Sequence, residues 1–233
     1  MDLSPQVITL GFFWYIAFLF STVCHEGAHA LAARLGGDPT ASEGGQASLN
    51  PVPHIQREPI GLVLVPLVSY ALNGWMMGWA SAPYDPHWER NHPRRAAWMA
   101  LAGPGANCTL MVLAGLAIRW GLSRGTFQIG EGDSLASLVE AADPQRLGFL
   151  ATLLSIFFML NLILMTFNLL PVPPLDGSTG IALLLPEKAA VRLFDFYRGS
   201  GMGLMGIILA WLVYGKLFHW IAPRAVGVLF WNL

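Results

Sequence analysis

Five stretches of the chain run without a single charged side chain: residues 3–24, 59–84, 96–118, 147–175 and 199–215. Each approaches or exceeds the ~20 apolar residues that carry a helix across a bilayer, so the pattern predicts an all-α, polytopic helical bundle. The first stretch continues as helix through Val23-Cys24-His25-Glu26-Gly27-Ala28-His29-Ala30 to about Leu35, where Gly36-Gly37 and then Pro39 stop it. Gly103-Pro104-Gly105 predicts a local break in the third stretch, and Pro171, Pro173 and Pro174 break the fourth. Broken backbone at membrane depth must be satisfied by protein or by a water-filled cavity, which points to an internal site.

The second stretch reads poorly as one continuous helix, because Pro66, Gly74, Gly78 and Pro83 interrupt it. It is expected to enter the membrane and return. On that topology Arg34, Arg57, Arg90, Arg94, Arg95, Lys188, Arg192 and Arg198 gather on one face of the bilayer. The loop 119–146, with Glu131, Asp133, Glu140 and Asp143, lies on the other. Loop lysines and arginines favour the cytoplasm, so the amino terminus is expected outside.

Composition agrees with membrane residence: 55% of the 233 residues are hydrophobic and 12% charged, against roughly a quarter charged in a soluble domain. No linker, charge run or repeat divides the chain, so residues 1–233 are expected to form a single membrane-embedded domain. A net charge of −1 gives no reason to expect nucleic acid, and Cys24 and Cys108, both inside apolar stretches, make no disulfide framework. Ala28-His29-Ala30 has the form of a signal-peptide cleavage site, but Asp2 and the lack of any preceding Lys or Arg argue against one. Nothing in the sequence sets an oligomeric state.

The chemistry sits at the end of the first stretch. In His25-Glu26-x-x-His29 the histidines lie one helical turn apart and share a face that can bind one Zn²⁺, with Glu26 beside the open coordination position as a general base. Ionisable groups in an apolar segment are costly and usually functional. A catalytic zinc site normally takes three protein ligands, so a third is needed. Asp176, which follows the proline break in 168–177 (NLLPVPPLDG), is one candidate, with Gly177 letting the backbone turn beside it. Asp176 is equally suited to cap a helix over 177–185, and sequence leaves both roles open.

HExxH in one apolar helix, AGPGAN at 102–107 and NLLPVPPLDG at 168–177 together resemble the site-2 protease family of intramembrane zinc metalloproteases. SLNPVPHI at 48–55, PIG at 59–61 and GWASAP at 78–83 resemble its compact prokaryotic branch. The resemblance implies one zinc ion per chain held by His25, His29 and Asp176, with Glu26 as catalytic base. It also implies that Asn168 helps to position substrate or the oxyanion; on the residues alone Asn168 is equally an amide satisfying carbonyls freed by the proline break. The expected substrate is a transmembrane protein or peptide, pairing by strand addition with an edge or hairpin formed by 48–53 and 78–83. The expected place is a prokaryotic cell membrane, multi-pass, with the active site nearer the cytoplasmic face.

In relatives of this branch an aspartate and a proline directly follow the His-Ile that matches His54-Ile55, whereas Gln56-Arg57-Glu58 intervene here before Pro59. His54 is therefore a gating residue, an auxiliary ligand or a polar loop histidine, and the last is preferred. A non-proteolytic zinc-binding scaffold or a transporter is the competing function. A transporter should show paired broken helices or inverted repeats, and a scaffold should have lost Glu26 or a ligand. Neither holds in this sequence.

Overall fold

The computed structural model describes residues 4–132 and 134–232; Asp2 and Asp133 of the sequence reading lie outside them. Among the described residues four helices are long and apolar enough to cross a membrane: α1 (Pro5–Gly36), α6 (Pro93–Ser123), α7 (Pro144–Asn168) and α10 (Gly203–Leu229). Between α1 and α6 come α2 (Thr40–Glu43), α3 (Pro51–Arg57), a π-helical turn (Ile60–Leu64) leading into α4 (Val65–Asn73), and α5 (Pro86–Asn91). Strands β1 (Phe127–Ile129) and β2 (Val139–Ala141) pair antiparallel between α6 and α7. Between α7 and α10 lie α8 (Asp176–Gly180), a 3₁₀ turn (Ile181–Leu184) and α9 (Glu187–Gly199).

The long helices alternate in direction. Arg95 Nη1 donates to Gly36 O and Met99 O receives His29 Nδ1, while Asn107 lies at His25, so α6 runs back along α1. Asn161 reaches Ser21 and Asp176, beyond the end of α7, reaches His25, giving α7 the direction of α1; Tyr214 reaches Thr166 while Gly206, nearer the start of α10, abuts Pro173 O beyond the end of α7, so α10 returns. The carboxyl ends of α1 and α7 thus share one end of the bundle. Loop 200–202 and the amino ends of α6, α9 and α10 are there too.

At that end Gly37 takes a left-handed conformation (φ 99°) and stops α1, as the glycine pair predicts. Asp38, next along, accepts from Thr40 N, Thr40 Oγ1 and Asp85 N. This clasp ties the exit of α1 to the entry of α5. Helix α9 is held to α5 and α6 by ion pairs Arg90–Asp195 (3.0 Å), Arg94–Glu187 (3.6 Å) and Arg198–Glu89.

The second stretch does return. It descends as helix to Asn73 and turns at Gly74 (φ 75°). It then comes back extended, with Met77 N on Ser69 Oγ, Trp79 N on Gly61 O and Ser81 Oγ on Glu58. Its two ends therefore meet on one face, while Tyr70 OH reaches Val7 O near the opposite end of α1.

Three local expectations need correction. Residues 48–53 form no strand: Asn50 accepts from Val52 N and starts helix α3, with Pro51 at its first turn, where a missing N–H costs nothing. The 78–83 segment is extended, as expected, but pairs with no strand, and the β-ribbon forms instead at 127–141, where Phe127 packs against Gly121. Helix α6 runs unbroken through Pro104. Helix α10 also extends past Lys216 to Leu229; Arg224 lies over the Trp220 ring, 3.8 Å from its centroid, and caps the Trp220 carbonyl.

Candidate metal centre

His25 and His29 lie one turn apart on α1, and their Nε2 atoms are 3.0 Å apart. Asp176 places Oδ2 3.1 Å from His25 Nε2 and Oδ1 3.3 Å from His29 Nε2. Among the described residues this is the group of histidines, cysteines and carboxylates close enough to hold a metal ion. Both rings and Glu26 are buried, each 6–7% exposed.

The protons of the two rings are fixed from behind. His25 Nδ1 faces Asn107 Oδ1 at 2.5 Å and His29 Nδ1 faces Met99 O at 2.7 Å. Both partners accept only, so each Nδ1 carries the hydrogen and each Nε2 presents a lone pair. The Asn107 orientation is set in turn by Asn161. Asn161 Nδ2 donates to Phe157 O and Ser21 Oγ, leaving Asn161 Oδ1 to accept from Asn107 Nδ2 at 2.8 Å. A relay across α7, α6 and α1 therefore decides which nitrogen of His25 enters the site.

Two lone pairs and a carboxylate facing one another at 3.0–3.3 Å repel unless a cation sits among them. Asp176 Oδ2 is buried and receives no hydrogen bond, which fits a partner without a proton. The donor set fits Zn²⁺: bonds of about 2.0–2.1 Å at tetrahedral angles set ligand atoms about 3.3 Å apart and leave a fourth position open. Gly103 on α6 makes the room, since a Cβ there would lie 2.6 Å from His25 Nε2 and closer still to His29 Nε2.

Asp176 reaches the histidines because α7 ends at Asn168 and the chain folds back through the proline-rich segment. The capping role is excluded by geometry. Leu175 is the N-cap of α8, and Asp176, in its first turn, turns its carboxylate to the imidazoles. A Cβ on Gly177 would overlap the Leu169 carbonyl, so glycine is what lets this turn close against the end of α7.

Glu26 lies between the two histidines in sequence, and its carboxylate makes no hydrogen bond or ion pair to a described residue. Asn168 is half-buried; its Nδ2 returns to Leu164 O of its own helix at 3.0 Å, and no hydrogen bond joins it to the triad. His54 stands outside the donor group. It is 1% exposed rather than a loop side chain, with Nε2 3.3 Å from Ser48 O and Nδ1 without a partner. Sequence reading gave no role to Asn107 or Asn161, both fully buried. The signal was present in two amides inside otherwise apolar stretches, which must find partners there.

A family model described as peptidase family M50 matches residues 13–212. Over 183 residues the chain is 31% identical to "Putative zinc metalloprotease YwhC" of Bacillus subtilis (strain 168), spanning 76% of this chain and 71% of that protein. No solved structure matches.

Proposed function

The chain belongs to peptidase family M50, the site-2 proteases, and from that premise we propose an intramembrane zinc endopeptidase that cuts transmembrane segments of membrane-protein substrates. The carrying observation is the triad of His25, His29 and Asp176 at tetrahedral-edge spacing with Glu26 on the same buried helix. In this reading the triad holds one zinc ion per chain, which supplies the Lewis acidity that lets water act as a nucleophile at neutral pH. Glu26 takes a proton from the attacking water and delivers it to the leaving amine as the C–N bond breaks. Its burial without a competing partner keeps the carboxylate free for both transfers.

A peptide bond inside a transmembrane helix must unwind before it can be attacked. The extended segment 76–85 supports a place for the unwound strand. Met77 N and Trp79 N are satisfied on one side by Ser69 and Gly61, whereas the amides of Gly78, Ala80 and Ala82 make no hydrogen bond to a described residue. Alternate free amides on an unpaired edge are the template for strand addition. Asn168 serves the substrate by releasing Leu164 O and turning its amide outward. The arginine-rich end of the bundle, which carries the site, faces the cytoplasm.

The test is cleavage of a doubly labelled single-pass peptide, with a glycine pair in its apolar helix, by the purified protein in detergent. Zinc content is measured in the same sample. Wild type should bind zinc and cut the peptide, and a chelator should stop it; zinc-free wild type or chelator-resistant cleavage would refute the reading.

A further inference from the structure

Ser81 is a crossing point of hydrogen bonds that the chemistry above leaves unused. Its Oγ donates to Glu58 Oε1 at 2.6 Å and accepts from Arg57 Nε at 3.2 Å. Its carbonyl accepts from Gln46 Nε2 at 2.9 Å. Arg57 and Glu58 belong to the Gln56-Arg57-Glu58 stretch that separates Ile55 from Pro59, so the longer loop of this chain supplies both partners of the hydroxyl.

The contacts hold the extended segment against the catalytic helix. Gln46 is buried, and a Cβ on Gly27 would lie 3.6 Å from Gln46 O and 3.4 Å from Ser48 O, in ordinary van der Waals contact. Residues 46–48 therefore rest on α1 at the residue after Glu26. From there the Gln46 side chain reaches Ser81 O and spans the gap between that turn of α1 and the segment 76–85. The segment is tied upstream at Met77 N by Ser69 Oγ and at Trp79 N by Gly61 O, and downstream at Asp85 N by Asp38 Oδ2. Between Trp79 and Asp85, Ser81 alone makes hydrogen bonds to other described residues.

We infer that Gln46, Arg57 and Glu58 are positioning residues for substrate: by locking Ser81 they keep residues 80–84 extended, with the amides of Ala80 and Ala82 presented to the backbone of an unwound peptide. A strand ordered before docking spares the complex the entropy of ordering it on contact. The clasp therefore acts on substrate binding and not on bond cleavage. This inference rests on the protease reading and deepens it.

Glu58→Ala should raise KM for the doubly labelled single-pass peptide about tenfold, with kcat within about threefold of wild type and zinc content unchanged. Glu58→Gln still accepts from Ser81 Oγ and should hold KM within about threefold of wild type. Arg57→Ala, which removes an exposed side chain, should raise KM in the same direction. Gln56→Ala, in the same loop but with no side-chain hydrogen bond to a described residue, should leave KM as it is. Wild-type KM in Glu58→Ala overturns the inference. So does a loss of kcat or zinc at unchanged KM, a failure of Gln to rescue, or an equal rise in Gln56→Ala, each of which marks a loop that only stabilises the fold. Fluorescence anisotropy of the same peptide, titrated into Glu26→Gln with and without Glu58→Ala, reads the docking step whether or not wild type cuts. About tenfold weaker binding is expected of the double variant, and equal binding overturns the inference. A wild type without zinc or cleavage refutes the protease reading itself, whereas an active wild type whose Glu58→Ala variant keeps the same KM refutes only the clasp.

Discussion

His25 Nδ1 lies 2.5 Å from Asn107 Oδ1, and that contact turns the other ring nitrogen towards the Asp176 carboxylate. Asn107→Ala removes the acceptor and frees the ring to rotate or change tautomer. Zinc affinity should fall roughly 10- to 100-fold, the usual cost of losing a partner behind a metal-binding histidine. Competition with a fluorescent chelator measures it, and wild-type affinity in Asn107→Ala would show that the relay from Asn161 orients nothing.

Glu26 and the triad should separate by phenotype. Glu26→Gln should keep full zinc content and lose cleavage, because it removes a base and no ligand. His25→Ala, His29→Ala and Asp176→Ala should each lose metal as well as activity. Metal analysis of the purified variants decides this, and full occupancy in Asp176→Ala would remove Asp176 from the ligand set.

His54 is buried but stands outside the donor group. His54→Ala should retain zinc and at least about a tenth of the activity, a loss of no more than about 1.4 kcal/mol in transition-state stabilisation. Activity as low as that of Glu26→Gln would place His54 at the reaction centre.

The return of the chain from Glu58 to Ser81 fixes the sidedness of all that follows. With Cys24 and Cys108 replaced, single cysteines near Arg90 and near Glu131 should be labelled by an impermeant reagent from opposite sides of the membrane, Glu131 from outside. Labelling of the Arg90 position in intact cells would invert the orientation.

Asp38 gives stability a pH signature. Burial pushes its carboxyl up, but hydrogen bonds from Thr40 Oγ1, Asp85 N and Thr40 N outweigh that and hold it below the value of a free aspartate. A pKa depressed by folding adds stability that is present above the unfolded value of about 4 and is lost as the pH falls through the folded one. Thermal midpoints of wild type should therefore drop in that acid range. Asp38→Asn should start lower at pH 7 and show a shallower acid loss; an unchanged acid slope would mean that the clasp carries none of it.

What the sequence determined by itself is what depends on neighbours along the chain. The apolar runs specify α1, α6 and α7 because transfer into lipid is a local sum. HExxH places two imidazoles on one face because the helix repeats every 3.6 residues, and Gly37 ends α1 because only glycine takes its left-handed turn freely. The tertiary structure decided where segments distant in sequence meet. Asp176 could have capped a helix or faced a metal, and the choice fell to how the proline-rich arm packs against α1. Asn107 and Asn161 were ordinary polar residues until three helices came together and paired them. The expected strand at 48–53 became a helix because the Asn50 cap and Pro51 act locally, whereas a strand needs a partner that only the fold can supply.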